Sequence, residues 1–530
     1  MKNIFGFVLC LICGVVSAGG TLNFVVNSTL DELDAGINGQ CDSTGMGGGL
    51  CTLRAALMEA SQNFGGTTHI SFDINDPGCN NGVCVIQVDQ SNLGHLPDIV
   101  TPVIIDGSTQ SGNADVCNLA PADRPDYKIV LQGQSSDIGL RLAAGSDGSV
   151  IRGLNIRNFF NNVVIYKSHD NRLECNFIGT DETGMASSGN NPANGILIGC
   201  DSSGHVIGGS DYADGNLISA QAADGIQFYA GFSCAPDGQL PHHNAILGNY
   251  IGTMKDGVTP LGSVYSGISF FGGAAHDNFI GSLQDGSTIL GNVIGNHESG
   301  VYIADGTNNT LIVGNYIGTN DTGSVDLGHV YGGVDIVNGH DNQVGGVLSG
   351  EANLIAYNSE GVFVTDVNSH SNRLRGNDYL NNLIMAIDLI ADGGNESDGL
   401  NPNDADDADI GANLLINHPV ITAASFIDFS GDLYSEVELS VDASVANVTY
   451  PLEIDAYFND EPSAVNKAVF IDSQTYVLPQ QSTAMVFDLP DGVTGGELRL
   501  MATDASGNSS ELSPPITVGI IDLIFKNGFE

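Results

Sequence analysis

The chain has 530 residues, of which 62 are acidic and 15 are Lys or Arg, giving a formal net charge of −47. A surface field of that sign repels nucleic acid and anionic membranes, so neither is expected as a partner. Seventy glycines, no Trp and 15% charged residues suit a chain with many tight corners and a narrow aliphatic interior.

Residues 1–18 carry Lys2, an apolar run from Ile4 to Val16, and small residues up to Ala18. That order predicts a secretory signal cut after Ala18, too short to span a membrane as a mature helix. Leu9 and Ile12 precede Cys10 and Cys13, so no lipoprotein anchor is expected, and no later transmembrane segment occurs. The expected location is secreted or at the cell surface. Beyond the signal stand Cys41, Cys51, Cys79, Cys84, Cys117, Cys175, Cys200 and Cys234. An even set in an exported chain favours disulfides, with connectivity open. Cys41 with Cys51 and Cys79 with Cys84 are the natural local pairs, because each brackets a Gly- or Asn-rich loop. The spacings lack the Cys-x₂-Cys of a zinc site.

From Cys51 to about Gln62 the pattern predicts a helix with Leu53, Leu57 and Ala60 on one stripe. Such a helix would cap the open end of a solenoid, with Arg54 and Glu59 on its solvent side. Cys51-Thr52-Leu53-Arg54-Ala55-Ala56-Leu57 resembles the Cys-Ser-Leu-Arg-Glu-Ala-Ile segment that opens the CSLREA-domain proteins of bacteria. Residues 96–110 and 413–421 look like the same group. The resemblance implies an exported right-handed parallel β-helix. It transmits no catalytic residue, and Ala55 stands where that group has Glu. Residues 19–125 are read as this cap and the first coils.

Residues 126–387 repeat. Asn176-Phe177-Ile178-Gly179-Thr180, Asn249-Tyr250-Ile251-Gly252-Thr253 and Asn315-Tyr316-Ile317-Gly318-Thr319 lie 73 and 66 residues apart. Between them recur Gly-apolar-x-apolar segments such as Gly225-Ile226-Gln227-Phe228, Gly300-Val301-Tyr302-Ile303 and Gly361-Val362-Phe363-Val364. Short period-two strands in units of about 22 to 24 residues predict a parallel β-helix, right-handed by the usual crossover preference. The Asn of each phrase is expected to stack into a ladder. The His-Asp-Asn runs at His169, His276 and His340, with His370-Ser371-Asn372 as a variant, read as corners, since a catalytic pair need occur once. A basic cluster at Arg152, Arg157, Lys167 and Arg172 reads as neighbouring coil edges.

Residues 388–418 are dense in Asp, Asn and Gly. Asp404, Asp406, Asp407 and Asp409 offer hard oxygen ligands for Ca²⁺, although the Gly and terminal Glu of an EF-hand are missing; the alternative is a solvated acidic linker. Residues 419–519 alternate apolar and polar, predicting a β-sandwich. Residues 502–511 resemble the closing strand of bacterial Ig-like modules. Residues 520–530 resemble a C-terminal tag of exported proteins in some gammaproteobacteria, which implies a Gram-negative source; a final edge strand is the other reading.

The fold expected is all-β: a right-handed parallel β-helix with an N-terminal helical cap and a C-terminal sandwich. Polysaccharide lyases and hydrolases use such scaffolds, yet the chain has no Gly-His-Gly and no Arg-x-Lys, and fold alone confers no activity. The candidate ligand face is Tyr302, Asp335 and Phe363, outward positions that would align on adjacent coils. The function expected is non-catalytic adhesion or glycan binding, with an extracellular polysaccharide or cell-surface partner. The alternative is a polysaccharide lyase or glycoside hydrolase, whose paired carboxylates would be assembled from separate coils.

Overall fold

The computed structural model describes residues 20–519 apart from 46–48, 115, 190–191, 212, 232–233, 235–238, 283–290, 392–393, 395–396, 430–431, 462–463, 465 and 478. The expected signal segment and C-terminal tag lie outside the described residues.

Three sheets of ten, nine and eleven strands wind around one interior. Every strand pairs in parallel with its equivalent in the next coil, except in a short antiparallel hairpin of Cys79–Asn80 with Val83–Gln87. This is a parallel β-helix. The nine-stranded sheet carries the candidate site. Its strands are β1 (Ile138–Leu142), β2 (Asn161–Ile165), β3 (Ile196–Ile198), β4 (Ile226–Tyr229), β5 (Ser266–Phe271), β6 (Ser299–Ala304), β7 (Val334–Val337), β8 (Glu360–Thr365) and β9 (Met385–Leu389). Inward positions are aliphatic and stack in columns such as Ile196, Ile226, Ile268, Val301, Val334 and Val362, all fully buried.

The Asn of the recurring phrase forms a ladder. Side-chain amides run from Asn176 to Asn216 (3.2 Å), Asn249 (3.0 Å), Asn292 (3.0 Å), Asn315 (2.9 Å), Asn353 (2.9 Å) and Asn377 (2.9 Å). Each amide also caps backbone groups that a bend removes from the sheets. The His-Asp-Asn runs are corners too: Asp170, Asp277 and Asp341 take positive φ near 55°, and the Asn that follows joins a second ladder, as from Asn342 to Asn372 at 3.1 Å.

The N-terminal end is closed by α1 (Leu53–Ala60), capped by Thr52, whose hydroxyl accepts from the Ala55 amide. Leu53, Leu57 and Ala60 pack on the solenoid core. The solvent-side assignment of Arg54 and Glu59 is corrected: each is 2% exposed. Arg54 pairs with Asp31 at 2.7 Å and donates to the His95 carbonyl, and Glu59 accepts from the Asn38 and Gly39 amides. Loops from both sides in sequence fold over the outer face of the helix.

The C-terminal region is two antiparallel sheets around a second core. One sheet is β10 (Val420–Phe429), β11 (Asp432–Ser440) and β14 (Thr483–Asp488). The other is β12 (Leu452–Asn459), β13 (Val469–Tyr476), β15 (Gly495–Thr503) and β16 (Ile516–Gly519). The second sheet also covers the last coil. Tyr457, Met501 and Leu512 belong to the same apolar cluster as Tyr379, and Arg375 pairs with the buried Asp455 at 2.8 Å.

Four disulfides link Cys41–Cys51, Cys79–Cys84, Cys117–Cys175 and Cys200–Cys234. Such bonds belong to an oxidising compartment. No helix among the described residues is long and apolar enough to cross a membrane.

Candidate functional site

On the outer face of the nine-stranded sheet, side chains of successive coils form rows. One row is Gln227, Ser269, Tyr302, Asp335, Phe363 and Asp388, each in register with the next. The three predicted ligand-face residues are therefore consecutive members of one row. Their exposure differs from expectation: Asp335 is 5% and Phe363 9% exposed, because Asp335 lies between two aromatic neighbours in the flanking coils. Only Tyr302 of the three lines the adjoining groove.

That groove, about 380 Å³, is floored by Gln227, Ser269, Ser299 and Tyr302 and flanked by Asp224 and Glu298. Tyr265 and Tyr331, 53% and 56% exposed, stand along one rim and the exposed Phe271 on the other. Tyr265, Glu298 and Tyr331 occupy the same position in consecutive coils: the Glu298 amide donates to the Tyr265 carbonyl and the Tyr331 amide to that of Glu298, both at 2.7 Å. These residues were not singled out from sequence. The signal was present, since each stands two places before the Gly that opens a strand, in Tyr265-Ser266-Gly267, Glu298-Ser299-Gly300 and Tyr331-Gly332-Gly333.

Several carboxyl groups on this face of the sheet, of which Asp224 lines the groove, are held toward the neutral form by burial. Asp335 is pushed up to about 7, first by burial and further by Glu360, while the Ser299 hydroxyl donates to its Oδ2. Burial also raises Glu360 and Asp224. Asp224 accepts from the Ser266 amide at 2.9 Å and from Gln227 Nε2 at 2.8 Å. Asp388 is pushed up to about 6 by burial. The floor is thus made of hydroxyl and amide groups between aromatic rims, with Asp224 and Glu298 beside it.

Of the predicted cation ligands, Asp404, Asp407 and Asp409 converge, with oxygens within 4.8 Å of one another. Burial and the neighbouring Asp409 and Asp404 push Asp407 up to about 7. Asp406 does not join them; it takes a positive φ and accepts from Gln480. The basic cluster is largely neutralised: Arg157 pairs with Glu182 at 2.8 Å, Arg172 with Glu174 at 2.8 Å and Arg152 with Glu174 at 3.4 Å, while Lys167 lies over the Tyr166 ring.

No family model matches the chain, and no curated protein matches it. Among solved structures it is similar to one described as "Catalytic domain of GH87 alpha-1,3-glucanase in complex with nigerose", at 14% identity and a TM-score of 0.24, over 65% of this chain and 60% of that one. So slight an overlap assigns neither chemistry nor substrate here.

Proposed function

We propose that this is an extracellular β-helix protein that holds a neutral polysaccharide along the groove of its nine-stranded sheet, serving adhesion or capture. The observation that carries the reading is the pair of exposed rings, Tyr265 and Tyr331, two coils apart beside a floor of uncharged hydroxyl and amide groups. Aromatic faces stack on the apolar faces of sugars while polar groups meet the hydroxyls. A floor without basic side chains suits an uncharged ligand better than a polyanion. In the same reading the chain belongs with the CSLREA group, is exported by a Gram-negative bacterium, and carries an Ig-like module as a spacer.

A second reading, glycoside hydrolysis, is favoured by one observation. Asp335, protonated up to about pH 7, has Glu360 near enough to raise it further, and an acid with a nearby carboxylate is the pair such hydrolysis employs. One experiment tests both. The purified protein is offered a panel of polysaccharides and scored for retention and for released products. Capture predicts retention of a neutral glycan without products, weakened about tenfold in Tyr265→Ala or Tyr331→Ala. Product release that is lost in both Asp335→Asn and Glu360→Gln would replace capture with hydrolysis.

Ca²⁺ in this reading sits at Asp404, Asp407 and Asp409, where three crowded carboxylates repel one another without a cation. The expected outcome is a melting temperature that rises on adding Ca²⁺ and is insensitive to it in Asp407→Asn; equal shifts in both proteins would remove the ion from the proposal.

A further inference from the structure

The last coil and the sandwich do not close completely on one another. Between β9 and its preceding Ile384 on one side, and Leu400, β15 and Leu512 on the others, lies a cavity of about 310 Å³. Its walls are mainly aliphatic, from Ile384, Met385, Ile387, Leu400 and Leu512. It shares no lining residue with the glycan groove.

Arg499 of β15 lines this cavity. Among the described residues it has no carboxylate within ion-pair distance, and its hydrogen bonding is one long contact from Nη1 to the Ser513 carbonyl at 3.3 Å. Two other cations of the junction are matched, Arg375 with Asp455 at 2.8 Å and Lys467, also at the cavity, with Asp460 at 2.6 Å, while Arg373, away from the cavity, donates to the Ala505 carbonyl at 3.4 Å. In a chain with 62 acidic and 15 basic residues, this half-buried guanidinium has no carboxylate in ion-pair contact, Glu497 attracting it only from further off. Unlike the buried Arg124, which donates to the Leu119 and Ala213 carbonyls, it leaves most of its fork unused. Burial also weakens its hold on its proton, and a guanidinium in such a place is stabilised by an anion presented to its fork.

We infer that this cavity binds a small anionic amphiphile: a monocarboxylate with an aliphatic body, its carboxylate on Arg499 and its chain along Met385, Ile387 and Leu512. The planar fork of Arg matches a carboxylate bidentately, and the aliphatic walls take methylenes out of water. A sugar acid fits less well, because its hydroxyls would face those walls. The side-chain nitrogen of Asn466, the polar amide at the rim, already donates to the Asn382 and Ile384 carbonyls, both at 2.8 Å.

The test is calorimetric titration of the whole protein with decanoate and, separately, decanol. One saturable decanoate site is expected, with decanol at least tenfold weaker. Arg499→Met should weaken decanoate tenfold or more and leave decanol unchanged, and Arg499→Lys should fall between. Leu400→Trp, at the partly exposed mouth, should weaken both ligands and guards against misfolding at Arg499. Absence of saturable decanoate binding, equal affinity for acid and alcohol, or indifference to Arg499→Met would overturn the inference. So would binding that emerges only when residues 520–530 are deleted, because the cavity would then belong to the chain's own apolar end.

Discussion

Ser299 donates its hydroxyl hydrogen to Asp335 on the following coil, and the other carboxyl oxygen of Asp335 is buried with no hydrogen-bond partner. Burial favours the neutral acid and outweighs the Ser299 donation, which favours the charged form.

This gives a pH dependence with a definite sign. The folded pKa of Asp335, about 7, lies above its ordinary value of 3.8. The native state therefore keeps a proton that the unfolded chain has released, and this contribution to stability is complete below about pH 4 and lost as pH rises through 7. Asp335→Asn removes the dependence. Denaturant midpoints should be similar for both proteins at pH 4.5, with the variant more stable at pH 8 by something on the order of 2 kcal/mol. A variant that is less stable at pH 8 would show the buried charge to be compensated.

Gly332 makes room for that carboxyl. A Cβ added there would lie 2.0 Å from Asp335 Oδ1 and 2.9 Å from its Cγ, so Gly332→Ala must displace the side chain. The expected cost is about 1–3 kcal/mol, with weaker glycan retention at a temperature where the variant is folded. Melting curves and the retention assay check both.

The buried histidines give the opposite slope. His205 is held down to about 3 and His297 to about 4, and His329 lies well below its ordinary value, all chiefly through burial. The unfolded chain takes up protons near pH 6.5 that these rings refuse. Their contribution is thus present above 6.5 and declines as pH falls toward 4. His329 stands in a corner ladder, its amide donating to Asn358 and its Nδ1 accepting from the His297 amide. His329→Asn should continue that ladder and flatten the fall in melting temperature between pH 7 and pH 5.

Asn249 tests the main ladder. It accepts from the Asn216 amide at 3.0 Å and donates to Asn292 Oδ1 at 3.0 Å and the Ile207 carbonyl at 2.8 Å, all buried. Asn249→Ala leaves several groups without partners at about 1–3 kcal/mol each before relaxation. A loss of at least about 2 kcal/mol by chemical denaturation is expected, and a loss below about 0.5 would mean that water or a shifted backbone replaces the amide.

The scaffold was legible because its signals repeat. Ile178, Ile251 and Ile317 face inward in alternate coils, with Ile218 and Ile294 between them, and Gly marks the bends between strands. The spacing of the phrase therefore covers two coils rather than three, and the unit of about 22 to 24 residues was too short. Local bridges, Cys41–Cys51 and Cys79–Cys84, could be named from the loops they bracket. Cys117–Cys175 and Cys200–Cys234 close over 58 and 34 residues and needed the coil register. The groove was hidden for the same reason: Asp224, Tyr265, Glu298 and Tyr331 are scattered in sequence and become neighbours only through strand pairing. Tyr302 was found because it sits inside a repeated strand. Arg54 and Glu59 were misplaced because helical periodicity says nothing of loops at Asp31 and Asn38 that return to cover them.

The closure of the last coil by Tyr457 and Met501 has a consequence for assembly. A bare solenoid end presents unpaired strand edges, and like ends invite head-to-tail stacking into fibres. Among the described residues α1 lies over one end of the coil stack and the second sheet of the sandwich over the other, so neither end of the stack is left bare for a second stack to extend.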